Sequence, residues 1–152
     1  IMSTIKEMLD RVELMDIEDI SITSVMETEE YYTAVNKEQL VDGLDKFGNA
    51  TPLLKWASYV EQKRMNTGGT PYPNRNFTNY TANFTGDLFN NMSIRVSGSE
   101  VEIYSSVPYF RDLQVPNPSM FGIKPNGEAM NWYRYNILYP SIVEKINNQL
   151  NL

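Results

Sequence analysis

The sequence predicts an α+β fold in which an antiparallel β-sheet, the hairpin 92–105, packs against N-terminal and C-terminal helices. Three observations predict it. Apolar residues recur at helical spacing early in the chain, alternate with period two between Met92 and Tyr104, and return to a wide helical face after residue 127. A length of 152 residues suits a single domain. It reads as mainly helical over 1–65, a long loop over 66–83, a hairpin region over 84–108 and a C-terminal helix over 127–150.

Ile5, Met8, Leu9 and Val12 stand at i, i+3, i+4 and i+7, so residues 3 to 14 read as one amphipathic helix with Ser3 or Thr4 as its cap. Its apolar stripe requires a partner. Asp16 and Asp19 resemble an acidic helix start, and Ile17, Ile20 and Val25 carry an apolar face through a polar segment to about Ala34. Asn36, with Gln39 three residues on, has the form of an N-cap opening a short turn before Gly43. Leu44, Phe47 and the Gly48-Asn49 pair suggest a brief extended piece ending in a turn. Thr51 as N-cap and Pro52 in the first turn suit a helix whose stripe is Leu53, Trp56, Ala57 and Val60, ending near Arg64.

Residues 66–83 gather glycine, proline and asparagine over a length unusual for a loop in a compact domain, where such segments are functional or disordered. Phe77, Tyr80 and Phe84 at its C-terminal end suggest an anchored aromatic surface. Beyond it, Met92, Ile94 and Val96 alternate with Ser93 and Arg95, and Val101 and Ile103 alternate with Glu100, Glu102 and Tyr104. With Gly98 and Ser99 as the loop residues, Val96 falls opposite Val101, Ile94 opposite Ile103 and Arg95 opposite Glu102. One register therefore satisfies both the apolar face and a charge pair. A bare hairpin is marginal, so another strand or a covering helix must meet that face. Pro108, Pro116 and Pro118 fence a short segment, Tyr109 to Val115. Met130, Trp132, Tyr133, Ile137, Leu138, Ile142, Val143 and Ile146 then form the C-terminal face, which Pro140 interrupts. The expectation is two helices, about 127–138 and 140–150, or one bent element.

Composition removes many function classes. The chain has no histidine and no cysteine, so disulfides, thiolate nucleophiles, histidine general bases and the usual zinc ligands are absent. A net charge of −6, with acidic residues concentrated in the first 45 positions, opposes a primary role in binding a phosphate backbone. No apolar run reaches the ~20 residues of a membrane span, and Lys6, Glu7, Asp10 and Arg11 interrupt the start as they would not in a signal peptide. A soluble intracellular product is the default expectation. Carboxylate pairs for acid–base chemistry are available only as Glu27, Glu29 and Glu30, or Asp42 with Asp45, all in polar segments that suit a solvated face. Asp42, Asp45 and Asn49 lack the alternating ligands and closing glutamate of a calcium loop. Asn-x-Ser/Thr triplets at Asn49, Asn76, Asn79, Asn83 and Asn91 reflect a composition rich in these residues. Tyr72, Phe77, Tyr80 and Phe84 with Arg75 suit base or sugar stacking in form, but without surrounding positive charge core anchoring or protein contact is the better reading.

Thr85-Gly86-Asp87-Leu88 followed by the strand Ser93–Val96, the return strand Val101–Ile103, then Val107-Pro108-Tyr109 and a terminal helix, resembles the head-tail connector and tail-completion proteins of the necks of tailed bacteriophages. The likeness spans roughly residues 84–150 and lies in the order of elements. It departs from the family pattern at Asn91 and at Phe110–Leu113, as a diverged member would. The resemblance implies a virion structural protein of the neck or upper tail, made in the bacterial host cytoplasm. It implies a ring of six or twelve copies between portal or adaptor and tail proteins, with DNA passing as non-specific cargo. It further implies no catalysis, no cofactor, no metal and no membrane. Thr85 is then the cap of a short turn beginning at Gly86, and Leu88 packs beneath the sheet, whose apolar face meets the C-terminal helix. Tyr72, Phe77, Tyr80, Phe84, Tyr109 and Phe110 are the interface candidates, and the loop 66–83 is expected to reach a neighbour. The alternative reading is a small carbohydrate- or peptide-binding module that uses the same aromatic residues.

Overall fold

The period-two alternation becomes a hairpin in the register that its two faces require. A computed structural model describes residues 4–151 other than 70 and 99; in it β1 (Met92–Ser97) pairs antiparallel with β2 (Glu100–Ser105). Ile94 faces Ile103, Val96 faces Val101, and Arg95 faces Glu102, whose Oε2 accepts from Arg95 Nε at 2.6 Å. Gly98 takes φ +61°, the left-handed conformation a tight turn needs. Ser99, its expected companion in the turn, lies outside the described residues, as does Ser3. Among the described residues the sheet has two strands, so helices supply its cover.

The helices are α1 (Ile5–Glu13), α2 (Ile17–Glu27), α3 (Glu29–Val41), α4 (Ala57–Met65), α5 (Asp87–Asn90), α6 (Phe110–Gln114), α7 (Glu128–Tyr133) and α8 (Tyr139–Leu150). Thr4 starts α1 with a reciprocal capping box to Glu7, and Asp16 caps α2 by accepting from Asp19 N. The helical segment that the sequence suggests to Ala34 divides at Thr28, and its second part, α3, runs on to Val41. Asn36 is therefore not a cap. It is fully buried inside α3, and its Nδ2 donates to Gly122 O at 2.8 Å, a bond across the core that no local pattern reveals.

Thr51 and Pro52 do not open α4 either. The Thr51 hydroxyl is used by Tyr80 O and Gly43 O, and Pro52–Leu54 runs extended beside Thr78–Tyr80. Tyr80 N donates to Pro52 O at 2.8 Å and Leu54 N to Thr78 O at 2.9 Å, so tertiary backbone pairing holds these residues out of the helix until Ala57. The brief extended piece does form, as a bridge between Leu44 and Ala50 around the left-handed Gly48.

Residues 66–83 are irregular but tied down by asparagine amides. Asn74 Nδ2 is shared among Lys63 O, Asn66 O and Phe84 O, Asn76 Nδ2 donates to Asp42 O, Asn79 Nδ2 to Thr51 O and Asn83 Nδ2 to Tyr72 O. These amides donate to two of the segment's own carbonyls, Asn66 O and Tyr72 O, and to carbonyls of the segments around it, Asp42, Thr51, Lys63 and Phe84, which ties the loop to the rest of the fold.

At the other end, α7 and α8 are joined by a π-helical turn, Arg134–Leu138, into one continuous helical run. Pro140 has no N–H to donate into the preceding turn, and the wider turn just before it accommodates the missing bond. Of the two expected arrangements the single element is therefore the one formed.

The core is built where these pieces converge. Tyr32, Leu40, Leu88, Phe89, Ile94, Ile103, Met130 and Tyr133 belong to one buried cluster. The nearest cover on β1 comes from α3, with α2 beside it, while α7 packs on α3 and completes the cluster. The sheet is thus held by helices from both halves of the chain. Glu29, at the start of α3, accepts from the outward N–H of Ile94 at 2.9 Å and from the Ser93 hydroxyl, which closes part of an open sheet edge. No helix of the described residues is long and apolar enough to cross a membrane.

Candidate functional site

The Thr-Gly-x-Leu segment has a physical explanation. Gly86 has φ +93°, and a Cβ there would meet Gly68 O at 2.5 Å, so only glycine lets the long loop close over this point. Thr85 Oγ1 bonds Asp87 Oδ2 at 2.8 Å and steadies the start of α5, with Gly86 itself in the cap position. Leu88 is 2 % exposed and anchors the turn in the core. Val107 packs against the core edge and its carbonyl accepts from Phe110 N at 3.0 Å, a turn that leaves Pro108 and Tyr109 on the surface.

That arrangement brings three expected aromatic residues together. Tyr80, Phe84 and Tyr109 line one depression of about 310 Å3 with Tyr59 of α4, floored by Leu88 and edged by Thr85 and Asp87. The Tyr59 and Tyr80 rings stack with centroids 6.3 Å apart, and Tyr59 lies 5.1 Å from Phe84. A second depression of about 170 Å3 shares Tyr59 and Tyr80 and adds Leu53, Leu54, Lys55 and Trp56. The two depressions meet at Tyr59 and Tyr80 and make up one aromatic groove, with Lys55 lining the one and Asp87 the other. Burial, reinforced by the neighbouring phenols Tyr59 and Tyr109, raises the Tyr80 hydroxyl pKa well above its ordinary value. Burial likewise raises Tyr59, and burial with the Asp87 carboxylate raises Tyr109, so these hydroxyls stay neutral and the groove presents rings with few charges.

The other three candidates lie elsewhere. Tyr72 meets Phe89 edge-on at 5.8 Å with Lys37 Nζ over its ring, and Phe77 lies beneath the Arg64 guanidinium at 5.7 Å. Phe110 is 7 % exposed and packs, tilted, against Phe121 at 4.8 Å, so it is core. Sequence reasoning missed Tyr59 as a groove residue. It stands off the Leu53–Val60 stripe, on the same face as Lys63 four residues later, and that pairing is the pattern that marks the face α4 turns inward.

The stripe itself points outward. Leu53 and Trp56 are 65 % and 72 % exposed, whereas Lys63 is 1 % exposed with Asn79 O at 3.5 Å as its polar neighbour. Burial without a paired carboxylate among the described residues lowers the Lys63 ammonium to about 8. The α1 stripe behaves in the same way, with Ile5, Leu9 and Val12 between 51 % and 79 % exposed, although the helix packs an edge on α8.

The carboxylates considered for acid–base chemistry are spread over structural contacts. Glu27 pairs with Lys145 at 2.5 Å, Glu29 holds β1, and Asp42 shares Arg75 with Glu38. Asp45 Oδ1 accepts from Phe47 N and Asn49 N, closing its own turn. Among the described residues no group of three acidic side chains is placed to hold a metal ion.

No protein-family model, no curated protein and no solved structure matches the chain. The class that fold and site define is an α+β protein whose hairpin is covered by helices and whose surface carries an aromatic groove and an amphipathic helix with its apolar stripe exposed.

Proposed function

We propose that this chain is a structural protein of a bacteriophage virion, a ring subunit of the neck or upper tail that joins the portal to the tail and leaves a passage for DNA. Its work is shape and contact, without catalysis, cofactor or membrane, and its partners are copies of itself and the portal, adaptor and tail proteins. What supports the reading is surface area. A compact monomer of this mass exposes about 7,900 Å2, whereas the chain exposes 9710 Å2. The chain thus exposes more surface than a compact monomer of its mass, as a subunit with uncovered contact faces does. Large apolar side chains contribute much of the exposed surface, on α1, on the 53–65 segment and on the outer side of α8. The order of elements over 84–150, which resembles the neck proteins, supplies the particular assignment.

The test is native mass spectrometry over rising concentration, with negative-stain images of the same sample. Closed rings of one copy number are expected. A monomer throughout, even with detergent and salt varied, would overturn self-assembly as the basis of the reading.

The aromatic groove also favours a second reading, a carbohydrate- or peptide-binding module, because stacked phenyl rings suit a sugar face or an apolar side chain. Fluorescence of the exposed Trp56 during titration with oligosaccharides and with apolar peptides separates the two, since a ring subunit with no such ligand gives no saturable change.

A further inference from the structure

We infer that copies of this chain join head to tail, with the apolar stripe of α1 from one copy lying along the Trp56–Tyr59–Tyr80–Tyr109 groove of the next. The inference rests on the ring reading above and names the two faces that close it. Three observations carry it. The chain exposes more surface than a compact monomer of its mass, and a subunit repeated in a ring needs two unlike faces, one convex and one concave. The two candidate faces are of those kinds: a nine-residue helix with Ile5, Leu9 and Val12 outward, and a groove of tryptophan and tyrosine, the residues that anchor interfaces. Their charges also match. Lys6 and Glu13, seven residues apart, flank the same side of the α1 stripe and so stand about 10.5 Å apart along the helix, while Lys55 lines one of the two depressions of the groove and Asp87 the other. One orientation sets Glu13 against Lys55 and Lys6 against Asp87. The opposite orientation sets like charges together. Arg11 is not available for either role, because its Nη1 already donates to Leu150 O at 3.1 Å and ties α1 to the end of α8.

The experiment uses two single variants of the whole chain, Leu9→Glu and Trp56→Glu, both at exposed positions, with circular dichroism melts establishing that each folds as the parent does. Each variant alone is expected to raise the concentration needed for assembly by about tenfold or more. Mixed in equal amounts they should form a one-to-one heterodimer and stop there, because each retains one intact face. Glu13→Lys should weaken assembly, and Lys55→Glu in the same chain should restore it. If the parent forms rings but either single variant assembles as well as the parent, these are not the faces, and the ring reading stands without them. If the mixture yields no heterodimer, the contact is not head to tail. A parent that remains monomeric at all concentrations removes both the ring reading and this inference.

Discussion

Around the hairpin, periodic apolar positions and burial agree: Leu88, Ile94, Ile103 and Met130 are all 8 % exposed or less. In α1 and in residues 53–65 they disagree, with Leu9 at 58 %, Trp56 at 72 % and a lysine taking the buried position. The two regions follow the same rule, since a periodic apolar face is a surface that water disfavours. They differ in what satisfies it. The hairpin face is covered by this chain's own helices, and the outer faces have no cover among the described residues.

The largest expected effect lies in the first region. Leu88→Ala should lower unfolding free energy by about 2–5 kcal/mol in urea denaturation, whereas Leu9→Ala should change it by less than about 0.5 kcal/mol while weakening assembly. If Leu9→Ala destabilises the monomer as Leu88→Ala does, the contrast fails. Gly86→Ala should cost about 2 kcal/mol or more, from its positive φ and the approach of Gly68 O, read as a fall in melting temperature with the α5 turn displaced. Asn74→Ala removes the amide that ties the loop to Lys63 O, Asn66 O and Phe84 O and should cost about 1–3 kcal/mol; hydrogen exchange over 66–83 should quicken in the isolated chain. A loop that orders only on assembly would give no such change.

Lys63→Met should stabilise the protein at pH 7, by on the order of 1 kcal/mol. The sign follows from protons: the folded state holds the Lys63 proton less tightly than the unfolded chain, so the penalty is complete below about pH 8 and fades as pH rises toward the ordinary lysine value. Parent stability should therefore rise from pH 8 to about 9.5, and the methionine variant should lose that rise. Above about pH 10 the trend reverses, because the raised phenols Tyr59 and Tyr80 favour folding only while they keep their protons. The smallest effect belongs to Arg95→Ala, which removes an exposed cross-strand pair and should cost less than about 0.5 kcal/mol.

The hairpin and its register were legible because side chains alternate with a period of two, and a slip by one residue would expose Ile94 and Ile103 together. The start of α1, read as capped by Ser3 or Thr4, and the short turn at Gly86 were legible for similar reasons, each being decided within a few residues, while the C-terminal region was legible only as two helices or one bent element, which the π-helical turn decided. Asn36 and Thr51 were not. Both have the local form of a helix cap, and both make bonds to residues far along the chain, Gly122 for one and Tyr80 for the other. The groove was not legible as a groove: Tyr80, Phe84 and Tyr109, named only as contact candidates, meet in one depression, while Tyr72 and Phe110 are taken by Phe89 and Phe121, partners with no sequence relation to them.

The sequence by itself determined what depends on neighbours along the chain: the absence of histidine and cysteine chemistry, the acidic balance, the amphipathic helices and the strand pairing. Only the tertiary structure decided which apolar face is covered and which is left open. Hydrophobic periodicity specifies that a face must leave water, and the packing of distant segments specifies which faces the chain has enough material to cover.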